Sequence, residues 1–153
     1  MIQDTYNQID PKTGLPSGLK VDRGETQKDV NTSVLKELVK RIDNHKTFKA
    51  IDLPCGNGGF LRYMRTIFPK AQLSGADIVL PSKAPEYTTC YQIDLSKDFD
   101  IPKEERFDLI TSISGVMMFG NTQNFIENCA DRLEKGGLLV ITNDNASTII
   151  DRL

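Results

Sequence analysis

Ala50-Ile51-Asp52-Leu53-Pro54-Cys55-Gly56-Asn57-Gly58-Gly59-Phe60-Leu61 is the stretch on which the fold of this 153-residue chain turns. A short apolar run ends in an acid, a tight glycine turn follows, and an amphipathic segment begins. That order reads as strand, turn, helix. Such a turn aims backbone N–H groups at whatever lies in front of the helix N-terminus, which favours an anionic or electron-rich ligand. Glycine is needed there wherever φ is positive or a ligand approaches the backbone closely.

Upstream, residues 1–29 show no periodicity and are punctuated by Pro11, Gly14, Pro16, Gly18 and Gly24. They read as an irregular arm, either a lid over a pocket or a loose terminus, ahead of a single domain over residues 30–153. Residues 31–44 predict a helix, with Leu35, Leu38, Val39 and Ile42 on one face and Asn31 or Thr32 as its cap. His45, the only histidine, falls just past its end and reads as a surface or capping residue.

Strand one is expected over Phe48–Leu53. A helix over Gly59–Phe68 then turns Phe60, Leu61, Met64 and Phe68 towards a sheet and stops at Pro69. Strand two is expected over Gln72–Ala76, strand three over Tyr87–Ile93 and strand four over Phe107–Ile113. A glycine- and methionine-containing loop, a helix over Thr122–Glu134, a break at Lys135-Gly136-Gly137 and strand five over Leu138–Thr142 complete the pattern, with a further helix start from Ala146. Pro81 and Pro85 leave no room for more than a turn between Asp77 and Tyr87. Strands alternating with helices predict a parallel sheet covered on both faces. Ligands of such sheets bind beyond the carboxyl ends of the strands. Asp77, Asp94 and Asp144 each follow a predicted strand directly, and Asp52 closes strand one.

The composition suits a soluble globular domain, with 39% hydrophobic and 26% charged residues. The formal charge of −2, with no block of basic residues, argues against nucleic acid as a partner. No apolar run is long enough to span a membrane, and the polar start Met1–Pro16 does not resemble a signal peptide, so a cytoplasmic protein is expected. Cys55, Cys90 and Cys129 are odd in number and lack C-x-x-C spacing, which predicts free thiols and no metal site.

Two ligand classes use a glycine turn of this kind. The dinucleotide pattern G-x-G-x-x-G fails at Leu61, its third glycine position, and this disfavours a nicotinamide-dependent oxidoreductase. Asp52, Gly56 and Gly58 instead resemble motif I of the class I S-adenosylmethionine-dependent methyltransferases, with Pro54 where that motif usually has another glycine. Leu73-Ser74-Gly75-Ala76-Asp77-Ile78 and Gln92-Ile93-Asp94-Leu95 resemble the family's next two motifs. Phe107-Asp108-Leu109-Ile110-Thr111-Ser112 resembles its fourth strand, and Leu133-Glu134-Lys135-Gly136-Gly137-Leu138-Leu139 its turn into the fifth.

The resemblance covers residues 48–143 and implies a Rossmann-like sheet of order 3-2-1-4-5. It implies S-adenosylmethionine held by Asp52, Pro54, Gly56, Gly58, Asp77, Ile78, Asp94, Leu95 and Ser112. Asp77 would take the ribose hydroxyls, Ile78 and Leu95 the adenine, and Asp52 the methionine ammonium. No Asn/Asp-Pro-Pro-Tyr signature follows strand four, which with the acidic charge balance leans towards a small-molecule acceptor. No general base stands out; Asp144 and Ser114 are candidates by position alone. The family's last two strands have no counterpart before Leu153. This sets up two expectations: an open strand-five edge, available to a homo- or heterodimer partner, and an alternative reading as a non-catalytic, methyltransferase-like binding module.

Overall fold

The computed structural model describes residues 8–22, 29–82, 88–116 and 120–143. The elements in chain order are α1 (Val30–Arg41), β1 (Lys49–Asp52), α2 (Gly59–Ile67), β2 (Gln72–Asp77), β3 (Thr88–Gln92), β4 (Phe107–Ile113), α3 (Thr122–Arg132) and β5 (Leu133–Thr142). The five strands form one sheet of order β3-β2-β1-β4-β5, and every pairing is parallel. This is the expected Rossmann-like arrangement. Because strand side chains alternate, β1 feeds two cores at once. Ala50 joins Val34, Leu35 and Leu38 of α1 and Phe60, Leu61 and Met64 of α2 on one face. Ile51 and Leu53 join Phe125 and Cys129 of α3, with Phe99 and Ile101, on the other. The carboxyl ends of the strands are thereby fixed from both sides.

Several boundaries differ from the sequence expectation, each for a local reason. α1 begins one residue early, behind Asp29 in a left-handed conformation (φ 66°) with no side-chain cap. Asn31 is therefore not the cap but a buried residue whose Nδ2 donates to the carbonyl of Asp22 at 3.2 Å. The helix also stops at Arg41, short of residue 44, and His45 is exposed beyond it. β2 runs one residue past the expected end at Ala76, because Asp77 still pairs with Gln92.

α3 ends at Arg132 and β5 starts at once, because Leu133 pairs with Phe107 before the ladder resumes at Leu138 opposite Leu109. Lys135-Gly136-Gly137 is thus an irregularity within β5, with Gly136 at φ 82°, and not a break ahead of it. The described part of the arm spans residues 8–22. Ile9 bridges to Pro16 and Leu15 is buried against α1 and α2. Tyr87, the methionine loop at 117–119 and everything from Asp144 onwards lie outside the described residues.

Candidate functional site

A cavity of about 730 Å³ opens at the carboxyl ends of β1, β2, β3 and β4. The strand order sets its wall: Asp94 and Leu95 follow β3, Asp77 and Ile78 lie at the end of β2, Asp52 closes β1, Ile113 closes β4 and Ser114 follows it. The glycine turn adds Pro54, Cys55, Gly56 and Asn57, and α2 adds Gly59, Phe60 and Arg62.

The turn follows from its sequence. Gly56 (φ 50°) and Gly58 (φ 75°) occupy the left-handed region that side-chain-bearing residues avoid. The Gly58 N–H bonds the carbonyl of Cys55 at 2.8 Å, and the Gly59 N–H bonds Asn57 Oδ1 at 2.9 Å. Pro54 follows a cis peptide bond. The turn is then tied to β2, because the Gly56 N–H donates to Asp77 Oδ2 at 2.8 Å and the Cys55 N–H to the carbonyl of Ala76 at 3.0 Å. Cys55 packs into the space over Gly75, where a Cβ would lie 2.8 Å from its sulfur. Burial, with the nearby Asp52 carboxylate, pushes its thiol up to about 12, so it stands here as a small apolar filler.

Asp52 is 3% exposed and accepts a hydrogen bond from Thr111 Oγ1 at 2.7 Å across the β1–β4 pairing. Burial drives its carboxyl up from 3.8 to about 7, the Thr111 hydroxyl opposes that rise, and the Asp77 charge adds to it. Asp94 behaves in the opposite way. The Ser96 hydroxyl (2.6 Å) and N–H (3.0 Å) bond its Oδ1, Lys97 lies 3.2 Å from Oδ2, and these contacts hold it below the usual carboxylate range.

Seven of the nine sequence-chosen residues line the cavity: Asp52, Pro54, Gly56, Asp77, Ile78, Asp94 and Leu95. Gly58 and Ser112 do not. Gly58 acts through the turn's conformation and is the residue before α2. Ser112 is fully buried, and its hydroxyl has no partner among the described residues. The pleat turns Thr111, its neighbour, towards Asp52 instead. Ser114 lines the cavity, whereas Asp144 is outside the described residues. No sequence motif marks Asp22 or Asn31 as site residues, yet both reach the wall, as does Phe60, which the helical spacing assigns to the core.

A parallel five-stranded sheet, a glycine turn leading into a helix and a row of strand-end carboxylates define a Rossmann-like ligand-binding domain. The chain belongs to the methyltransferase domain family, whose sequence profile matches residues 24–153. No curated protein sequence matches it. Among solved structures, it is similar to the sugar N-methyltransferase KedS8 from Streptoalloteichus sp. ATCC 53650, with a TM-score of 0.60 and 22% identity over 79% of this chain and 50% of that one. It is also similar to the plantazolicin methyltransferase BpumL, solved in complex with a pentazolic desmethylPZN analogue and SAH, with a TM-score of 0.58 and 22% identity over 66% of this chain and 41% of that one. Coclaurine N-methyltransferase, bound to N-methylheliamine and SAH, gives 0.57 at 16% identity over 80% and 38%. The chain thus spans half or less of the length of these structures. No helix among the described residues is long and apolar enough to cross a membrane.

Proposed function

We propose that this domain binds S-adenosylmethionine in the strand-end cavity and transfers its methyl group to a small-molecule acceptor. One observation carries the reading: Asp77, at the end of β2, is fixed by the Gly56 N–H of the motif turn and opens onto the cavity. Each Asp77 oxygen accepts one backbone N–H, from Gly56 at 2.8 Å and Val79 at 3.3 Å, which leaves acceptor capacity for both hydroxyls of a ribose. A cavity of about 730 Å³ is within the range that holds a ligand of this size. The exposed Ile78 and the buried Leu95 offer apolar surface for a purine on that side. Asp52 lies on the other side, where a carboxylate suits an ammonium group.

When bound, the cofactor supplies a methyl group activated by its sulfonium sulfur. The protein's own work is positioning: it holds one reactant so that the acceptor meets it in line. The methyltransferases similar to this chain include a sugar N-methyltransferase and a plantazolicin methyltransferase, which supports a small-molecule acceptor. The edge of β5, paired only through β4 among the described residues, is where we place a dimer partner or further strands.

Thermal unfolding at several concentrations of S-adenosylhomocysteine tests the reading. A ligand bound only by the folded state stabilises by RT ln(1 + [L]/Kd), about 2.7 kcal/mol at a hundredfold excess over Kd. A saturable rise of several degrees is expected. A cooperatively unfolding sample with no rise would refute the cofactor reading.

A further inference from the structure

The N-terminal arm contributes a charged residue to the cavity that no part of the glycine motif accounts for. Leu15, Leu19 and Val21 pack into the core beneath α1 and α2. They carry the chain to Asp22, which lines the cavity. Two bonds fix its backbone there: its N–H donates to the Tyr63 hydroxyl of α2 at 2.9 Å, and its carbonyl accepts from Asn31 Nδ2 of α1 at 3.2 Å. Burial pushes the Tyr63 hydroxyl above the usual phenol range, with a smaller rise from the nearby Asp22 charge.

Asp22 and Asp52 reach the cavity from the same side. Asp52 alternates with Ile51 and Leu53, which face the α3 core, so its side chain falls on the α1/α2 face that the arm covers. Among the described residues, Asp22, Asp52, Asp77 and Asp94 line the cavity together with one guanidinium, that of Arg62, which donates to the carbonyl of Asn57 at 3.0 Å.

We infer that Asp22, held in place by Tyr63, is a charge-selecting residue: its carboxylate makes the cavity prefer the cationic sulfonium cofactor over the neutral thioether left after methyl transfer. The inference rests on the cofactor reading above. Asp22 acts on the ligand by its charge, and Tyr63 is a positioning residue that acts through Asp22. The consequence is directional, since a site that discriminates by charge loads the methyl donor and releases the demethylated product.

The experiment measures dissociation constants for S-adenosylmethionine and S-adenosylhomocysteine by titration calorimetry, with the full chain and with D22N, D22E and Y63F. Asp22 is bonded to α1 through its backbone carbonyl and to α2 through its backbone N–H, so D22N and D22E leave those bonds available, whereas Y63F removes the hydroxyl that accepts the N–H; the ligand-free unfolding midpoint of each variant is recorded alongside. Asn in place of Asp should lower the preference for S-adenosylmethionine by about fivefold, the size expected of one partly solvated charge. Glu should retain the preference, and Y63F should lower it part of the way. Added salt should weaken the preference in the parent chain more than in D22N. An unchanged ratio in D22N refutes the inference alone. So does an equal loss of both ligands in D22N and D22E, which would make the arm a steric wall only. If the folded parent chain binds neither nucleoside, the cofactor reading falls first and this inference with it.

Discussion

Replacing Asp52 by Asn should make the protein more stable, increasingly so as pH rises. Asp52 is 3% exposed, and burial raises its carboxyl from 3.8 to about 7. Between those values the folded chain keeps a proton that the unfolded chain has lost. Stability is therefore fully present below about pH 4 and is lost as pH rises through about 7, the sign for a group whose folded pKa is raised. At 1.36 kcal/mol per unit, the shift corresponds to about 4 kcal/mol. Asn has nearly the same shape, retains an oxygen to accept the Thr111 hydroxyl, and carries no charge at any pH. The advantage of D52N over the parent should grow by about 1.4 kcal/mol per pH unit from about pH 4 to 7, then level off near 4 kcal/mol. Urea unfolding of both proteins at intervals between pH 4.5 and 8.5, followed by circular dichroism, measures that difference. A difference that is flat with pH, or that shrinks as pH rises, would refute the burial argument and mean that Asp52 is comfortably ionised in the fold. If the slope appears while S-adenosylhomocysteine binding weakens, the fold bears the cost of a buried carboxylate to keep it in the cavity.

Asp77→Ala should weaken S-adenosylhomocysteine binding by about 1–3 kcal/mol, the range for lost hydrogen bonds to a charged group, and an unchanged dissociation constant removes Asp77 from the site. Gly75→Ala sets a Cβ 2.8 Å from both Cβ and Sγ of Cys55 and 3.0 Å from Leu61, so it should cost about 1–3 kcal/mol in thermal or urea unfolding. Adding Cys55→Ala should recover part of that loss, and strictly additive effects would place the clash elsewhere. Burial pushes the thiols of both Cys55 and Cys129 up to about 12, so a disulfide reagent at pH 8 should titrate only the half-exposed Cys90 in the folded protein and all three thiols after unfolding. Three rapidly reacting thiols in the folded state would contradict that burial.

The order of elements and the principal site could be read from the sequence because their signals are local. A glycine pair behind an acid dictates a turn whatever lies around it. Apolar spacing distinguishes the faces of α1, α2 and α3, and the acids Asp77 and Asp94 stand at and just beyond the ends of their strands. Parallel pairing then brings those ends to one edge, so a list made along the chain becomes a cavity wall. The pairing itself decided what the sequence could not. Thr111 and not Ser112 faces Asp52, because the choice depends on the pleat of β4 against β1, and neighbouring polar residues look alike until that register is fixed. β5 begins at Leu133 because Phe107 offers it a partner, although Gly136 and Gly137 suggest a break. Asp22 reaches the cavity only because Leu15, some seven residues earlier in an arm without periodicity, is buried between distant parts of the chain. The local chemistry of each turn and helix belongs to the sequence by itself. The charge of the cavity, and which residues share it, come from contacts between segments far apart in the chain, and those exist only in the folded structure.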